Sequence, residues 1–136
     1  MPPEGNLGRE MRYRLIAVAA WACLAFIVFA TLSPLDLRPT LTMREPKIIV
    51  IFEHLAAFAL LGVLFFISYP ERAAFVCVVV FGAAILLELA QIVIPDRDAR
   101  ILDAIEKLAG GGFGIGLGRW MFTKLPINIK KGRQQA

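Results

Sequence analysis

The chain has 136 residues, 58% of them hydrophobic and 19% charged, with a formal net charge of +4 and a mean hydropathy of +0.68. A soluble domain carries about half apolar and about a quarter charged residues, so this is the composition of a chain that lives mostly in lipid. It excludes intrinsic disorder and weighs against nucleic-acid binding, because the basic residues gather at the chain ends.

Residues 1–14 form a basic segment with Arg9, Arg12 and Arg14. A first apolar run follows from Leu15 to Leu32 and carries no charge. It is longer than the core of a signal peptide, about 7–15 residues, and no small-residue cleavage triplet follows it. The run is therefore read as a retained span. Ser33-Pro34 and Arg38-Pro39 close it, since the residue before proline avoids the helical region. A second run, Ile48 to Tyr69, contains Glu53 and His54, and a third, Ala73 to Ile94, contains Glu88 and Gln91. Tyr69-Pro70-Glu71-Arg72 is a short turn between them. Pro95 ends the third run, and Asp98 is placed to cap the next helix. The fourth run, Ile101 to Phe122, opens with Asp103, Glu106 and Lys107 and is then rich in glycine.

A helix needs about 20 residues to cross about 30 Å of hydrocarbon. The expectation is an all-α fold, a four-helix transmembrane bundle over 15–123 with a glycine-rich last span and a basic tail at 124–136. With the N terminus inside, the inner segments hold nine Lys and Arg residues and the outer segments five. Both termini are then cytoplasmic, and the tail meets the anionic inner leaflet. Cys23 and Cys77 lie within apolar runs without a CxxC partner, so neither a disulfide framework nor a zinc site is implied.

In this topology His54, Glu88 and Lys107 each lie six residues from the outer end of their span, at about 9 Å depth. Gln91 and Asp103 lie about one turn closer to the outside. Arg97, Asp98 and Arg100 cap the assembly on the outer loop. A charge in hydrocarbon costs about 2.5–3.5 kcal/mol on insertion scales, so these groups must meet each other or water. Glu88 and Gln91 share a helix face, as do Asp103 and Lys107. The pattern predicts a polar cleft open to the outer face. Glu88 with Lys107 also reads as a buried pair that fixes helix register. Gly110, Gly114 and Gly118 recur at every fourth position, and Gly112 and Gly116 form a second such row. Rows of this kind let backbones pack closely in lipid. The glycine run lacks the G-x-G-x-x-G spacing and the G-K-[ST] ending of nucleotide loops.

Several short motifs then fall in order. They are Thr31-Leu32-Ser33-Pro34, Glu53-His54-Leu55 with Phe58 and Gly62, Leu87-Glu88-Leu89 with Gln91, Pro95-Asp96-Arg97, Leu102-Asp103-Ala104 and the glycine-rich last span. In these the chain resembles the VanZ-like family of small bacterial membrane proteins over residues 31–118. The resemblance places the family's recurrent polar positions on His54, Glu88, Gln91, Arg97 and Asp103. Two positions depart from the common pattern. Val50 and Ile51 stand where an aspartate-lysine pair is frequent, and Lys107 stands where an asparagine is frequent. The resemblance implies a bacterial inner-membrane location and a link to resistance against the glycopeptide teicoplanin.

The functional expectation is a binding protein of the cell envelope rather than an enzyme. Its outer cleft would take a lipid, a lipid-linked glycan or an amphiphilic drug through His54, Glu88, Gln91, Arg97, Asp103 and Lys107. An intramembrane enzyme is the first alternative, with His54 as base and Glu88 or Asp103 as acid or orienting group. No serine or cysteine stands at that depth to act as nucleophile. A proton-coupled transporter carried by Glu88 is the second alternative, and would work as a homo-oligomer. Membrane lipids are the expected partners. No nucleic acid and no cofactor is expected, and a single histidine with scattered carboxylates is a weak basis for a metal site.

Overall fold

The computed structural model describes residues 4–33, 46–94 and 101–125, with side chains from Leu7 onward. They form four helices: α1 (Glu4–Leu32), α2 (Lys47–Ser68), α3 (Ala73–Val93) and α4 (Ile101–Lys124). The turns expected at 34–39 and 95–98 lie outside the described residues. Helix α1 begins well before the apolar run and continues through Arg9, Arg12 and Arg14. Leu, Arg, Glu and Met are good helix formers, and Glu10 and Arg14 stand at the favourable i,i+4 spacing.

Helix α2 ends where proline requires it to. Pro70 has no N–H and pushes Tyr69 out of the helical region, and Tyr69 adopts φ −130° and ψ 58°. Its N–H still donates to the Phe65 carbonyl at 2.9 Å, and the Arg72 N–H closes the turn on the Tyr69 carbonyl at 3.0 Å. Helix α3 starts at the next residue, antiparallel to α2. The short turn predicted here is present.

Three helices, within Leu7–Leu32, Lys47–Ser68 and Ala73–Val93, are long and apolar enough to cross a membrane. Large apolar side chains such as Phe26, Phe29, Phe52, Leu60, Val78, Leu86 and Val93 are exposed on their outer faces. Such faces are stable only against lipid, so the chain is a small multi-pass helical membrane protein. Helix α4 differs. Its 24 residues reach about 36 Å, yet the polar opening and the glycines deny it the span-length apolar stretch that the other three contain.

The core is built from one stripe of each of the first three helices. Ala20 and Ile27 of α1, Phe58, Leu61, Phe65 and Phe66 of α2, and Val76, Val80, Ala84 and Leu87 of α3 are buried together. The spacings of three, four and seven residues put each set on one helix face. Trp21 joins α1 to the end of α2. Its indole N–H donates to the Tyr69 hydroxyl at 3.2 Å, and its ring meets Phe65 edge-on at 5.1 Å between centroids.

The most extensive helix contact joins α2 and α4, and glycine makes it. A methyl group added at Gly110 would stand 2.5 Å from the Leu55 carbonyl oxygen, and one at Gly114 would overlap the Ala59 carbonyl. One at Gly118 would stand 3.4 Å from the Val63 Cα. Leu55, Ala59 and Val63 thus climb in step with Gly110, Gly114 and Gly118, so α2 and α4 run parallel. Gly62 returns the contact from α2, where an added methyl would meet the Gly111 carbonyl oxygen at 2.7 Å and the Ile115 nitrogen at 2.8 Å. Backbone lies against backbone along this seam. The second row behaves otherwise, since nothing stands within 4 Å of a methyl added at Gly116.

The two rows make a direct prediction. Gly114→Ala forces the helices apart and destabilises the protein by about 1–3 kcal/mol, the range of overpacked cores. Gly116→Ala leaves stability unchanged or slightly raised, as helix propensity favours alanine. A thiol-reactive dye reading the half-buried Cys23 and Cys77 during thermal unfolding in detergent measures both. Equal melting of the two variants would refute the seam.

Candidate functional site

Lys107 lies in the second turn of α4 and is 1% exposed. Its ammonium donates to Glu88 Oε2 of α3 at 2.6 Å. Neither group would tolerate that burial alone, because an isolated charge loses its hydration with no return. Together they form the buried pair that the sequence suggested. The pair ties α4 to α3 as the glycine seam ties α4 to α2. A methyl added at Gly111 would also stand 2.7 Å from Val80 Cγ1. With Glu88 opposite Lys107, this sets α3 and α4 antiparallel.

His54 of α2 faces a different residue of α4. Its Nδ1 lies 3.2 Å from Glu106 Oε2, and both side chains are partly buried. With the carboxylate ionised it only accepts, and Nδ1 is then the donor in this contact, with Nε2 as the other ring nitrogen. Asp103 completes the group. One ligand-bearing atom from each of His54, Asp103 and Glu106 lies within 4.8 Å of the others.

The structure therefore divides the expected constellation in two. At 100° per residue, Lys107 lies about 40° to one side of Asp103 and Glu106 about 60° to the other. Asp103 and Lys107, read from the sequence as sharing a helix face, stand on either side of this split. Lys107 turns to α3 and the core, whereas Asp103 and Glu106 turn to His54. Gln91, one turn from Glu88, is buried at 6% exposure, and the antiparallel register sets it at the level of Asp103. Glu53 is exposed and stands apart from both groups. Arg97, with Asp98 and Arg100, lies outside the described residues. Gly110, Gly114 and Gly118 face α2, where an added methyl would meet Leu55, Ala59, and Phe66 with Val63 in turn.

Glu106 is the residue that sequence reasoning placed at the polar helix start but not in the site. Two signals pointed to it, its i,i+3 spacing from Asp103 and its position one turn before Gly110. Close approach at Gly110 brings Leu55, and hence its neighbour His54, against that turn of α4.

No protein-family model, no curated protein and no solved structure matches this chain. The functional reading therefore rests on the geometry of these residues.

Removing one member of the buried pair leaves the other charge stranded, and such losses run to about 3–5 kcal/mol. Lys107→Met alone should lower thermal stability strongly. Adding Glu88→Leu to it should restore most of the loss, since an apolar pair of similar volume replaces an ion pair with little penalty. Additive destabilisation in the double variant would show that the two residues do not act as a pair.

Proposed function

We infer that this chain is a VanZ-like integral membrane protein of the bacterial inner membrane, with four spans and both termini cytoplasmic. In this reading α4 is the fourth span. Its polar first turns face protein, and its glycine row rests on α2. The polar end of the α2–α4 seam then lies towards the outer face. There it binds a lipid headgroup, a lipid-linked glycan or an amphiphilic drug.

One observation supports this reading above the others. Two tiers of polar groups stand side by side, and only one is used up by the fold. Glu88 and Lys107 are buried against each other at 2.6 Å. His54 and Glu106 keep 24% and 18% of their side-chain surface and, with Asp103, remain open to hydroxyl, amine or phosphate groups of a ligand. Arg97 stands six residues before Asp103 in the sequence and suits phosphate, which guanidinium binds in a fork. Intramembrane ionisable residues that are not consumed by packing mark functional sites. The link to glycopeptide resistance rests on the family resemblance.

A second reading has its own support. Glu106 meets the imidazole at Nδ1, as an orienting carboxylate does for a general base, and leaves Nε2 as the nitrogen to act. The same residues would then activate a hydroxyl or water on a lipid-linked substrate. Binding without turnover separates the first reading from this one.

Native mass spectrometry of protein released from mild detergent tests the proposal, with wild type beside His54→Ala and Asp103→Asn at matched helix content. A defined lipid or glycolipid mass should stay on the wild type and leave with either variant. Equal retention by all three would sink the binding site.

A further inference from the structure

We propose that His54, Asp103 and Glu106 form a binding site for a first-row divalent cation of the zinc class. The inference stands on these three side chains and holds whether or not the seam takes an amphiphile.

The donor set is the first reason. It comprises one imidazole from α2 and two carboxylates from the first two turns of α4, with one donor atom of each within 4.8 Å of the others. Zinc binds nitrogen at about 2.0–2.1 Å and carboxylate oxygen at about 2.0–2.2 Å, which sets neighbouring donors about 3–3.6 Å apart. His54 Nδ1 and Glu106 Oε2 already stand at 3.2 Å. One edge of the coordination shell is thus at its bound length. The Asp103 carboxylate lies within 4.8 Å of both, so the other edges would have to shorten by about 1 Å on binding.

Charge is the second reason. Two carboxylates are held close together, partly out of water. The cation next in sequence, Lys107, is already held by Glu88 at 2.6 Å. An imidazolium could offset one negative charge, whereas a dication offsets both and leaves the imidazole neutral, as a ligand must be. The bound ion would replace the His54–Glu106 hydrogen bond at Nδ1, and the proton of the neutral ring would then sit on Nε2.

The third reason is rigidity. Gly110 lets the Leu55 backbone touch α4, so the histidine and the carboxylates sit on two helices clamped one turn below the site. Donors fixed in this way lose little freedom on binding. Mixed nitrogen and oxygen donors suit zinc, manganese or ferrous iron better than calcium. Three protein ligands also leave a position open for water or an anionic group.

The test uses the full chain, untagged and chelator-stripped, in mild detergent at neutral pH. Zn²⁺ is titrated by calorimetry, and Co²⁺ is titrated by visible absorption as a second probe. The expected result is one equivalent per chain, with a cobalt spectrum that saturates at the same ratio. Even an outer-shell partner is worth about 10–100-fold in affinity, so His54→Ala and Asp103→Asn should each weaken binding at least tenfold. Asp103→Asn keeps the size of the side chain and guards against a folding defect in His54→Ala. Glu53→Gln, at the exposed neighbour of His54, should bind as the wild type does. Absence of saturable binding to the folded wild type would overturn the proposal. So would an equal loss in Glu53→Gln and Asp103→Asn, since that marks adsorption to surface charge.

Discussion

The structure depends on how closely α2 and α4 approach. Two helices that meet in lipid, the setting proposed for α4, have no hydrophobic drive to associate and rely on packing and on hydrogen bonds. Gly110 and Gly114 on one side and Gly62 on the other leave no side chain of their own at the points where backbone meets backbone. The backbones then touch along more than two turns. That approach fixes the level of α4 against α2 and sets Glu106 opposite His54. It also leaves Lys107 pointing away from α2, towards Glu88 of α3.

The polar residues of α4 follow from this placement. A helix opening with Asp103, Glu106 and Lys107 would be expelled from hydrocarbon if those groups faced lipid. Rotation about the seam gives each of them a protein partner or a partly wet position. Lys107 is fully committed to the core, and its charge is matched there. Among the described residues, Asp103 and Glu106 are matched only by an imidazole. That imbalance separates a structural tier from a tier with unspent chemistry. Both the ligand-binding reading and the cation site arise from the second tier.

Most of the architecture was legible in the sequence, because the signals for it are local. Apolar runs of span length gave the first three helices, and Tyr69-Pro70 gave the tight turn between α2 and α3. Counting residues from each span's outer end brought Glu88 and Lys107 to one depth, and the two groups do meet. The division of the site was less legible. It turns on whether Asp103 sides with Glu106 or with Lys107, and both stand within about 60° of it around the helix. Only the rotation of α4 decides, and the contact with Leu55 and Ala59 sets that rotation. The N-terminal extension of α1 was also hidden, since Gly5 and Gly8 weaken the local helix signal. Arg97 and the rest of the outer loop belong to the expected site by sequence and by resemblance.

Disulfide trapping in native membranes tests the α2–α4 contact most directly. In a chain with Cys23→Ser and Cys77→Ser, cysteines are placed at Val63→Cys and Gly118→Cys. A side chain begun at Gly118 would lie 3.4 Å from the Val63 Cα, within reach of a bond that needs about 3.5–4.5 Å between Cβ atoms. The control pairs Val63→Cys with Gly116→Cys, which faces open space. Fast intramolecular cross-linking of the first pair and little of the second is the predicted result. Equal cross-linking of both pairs, or none of the first, would contradict the parallel glycine seam and the placement of the polar groups that depends on it.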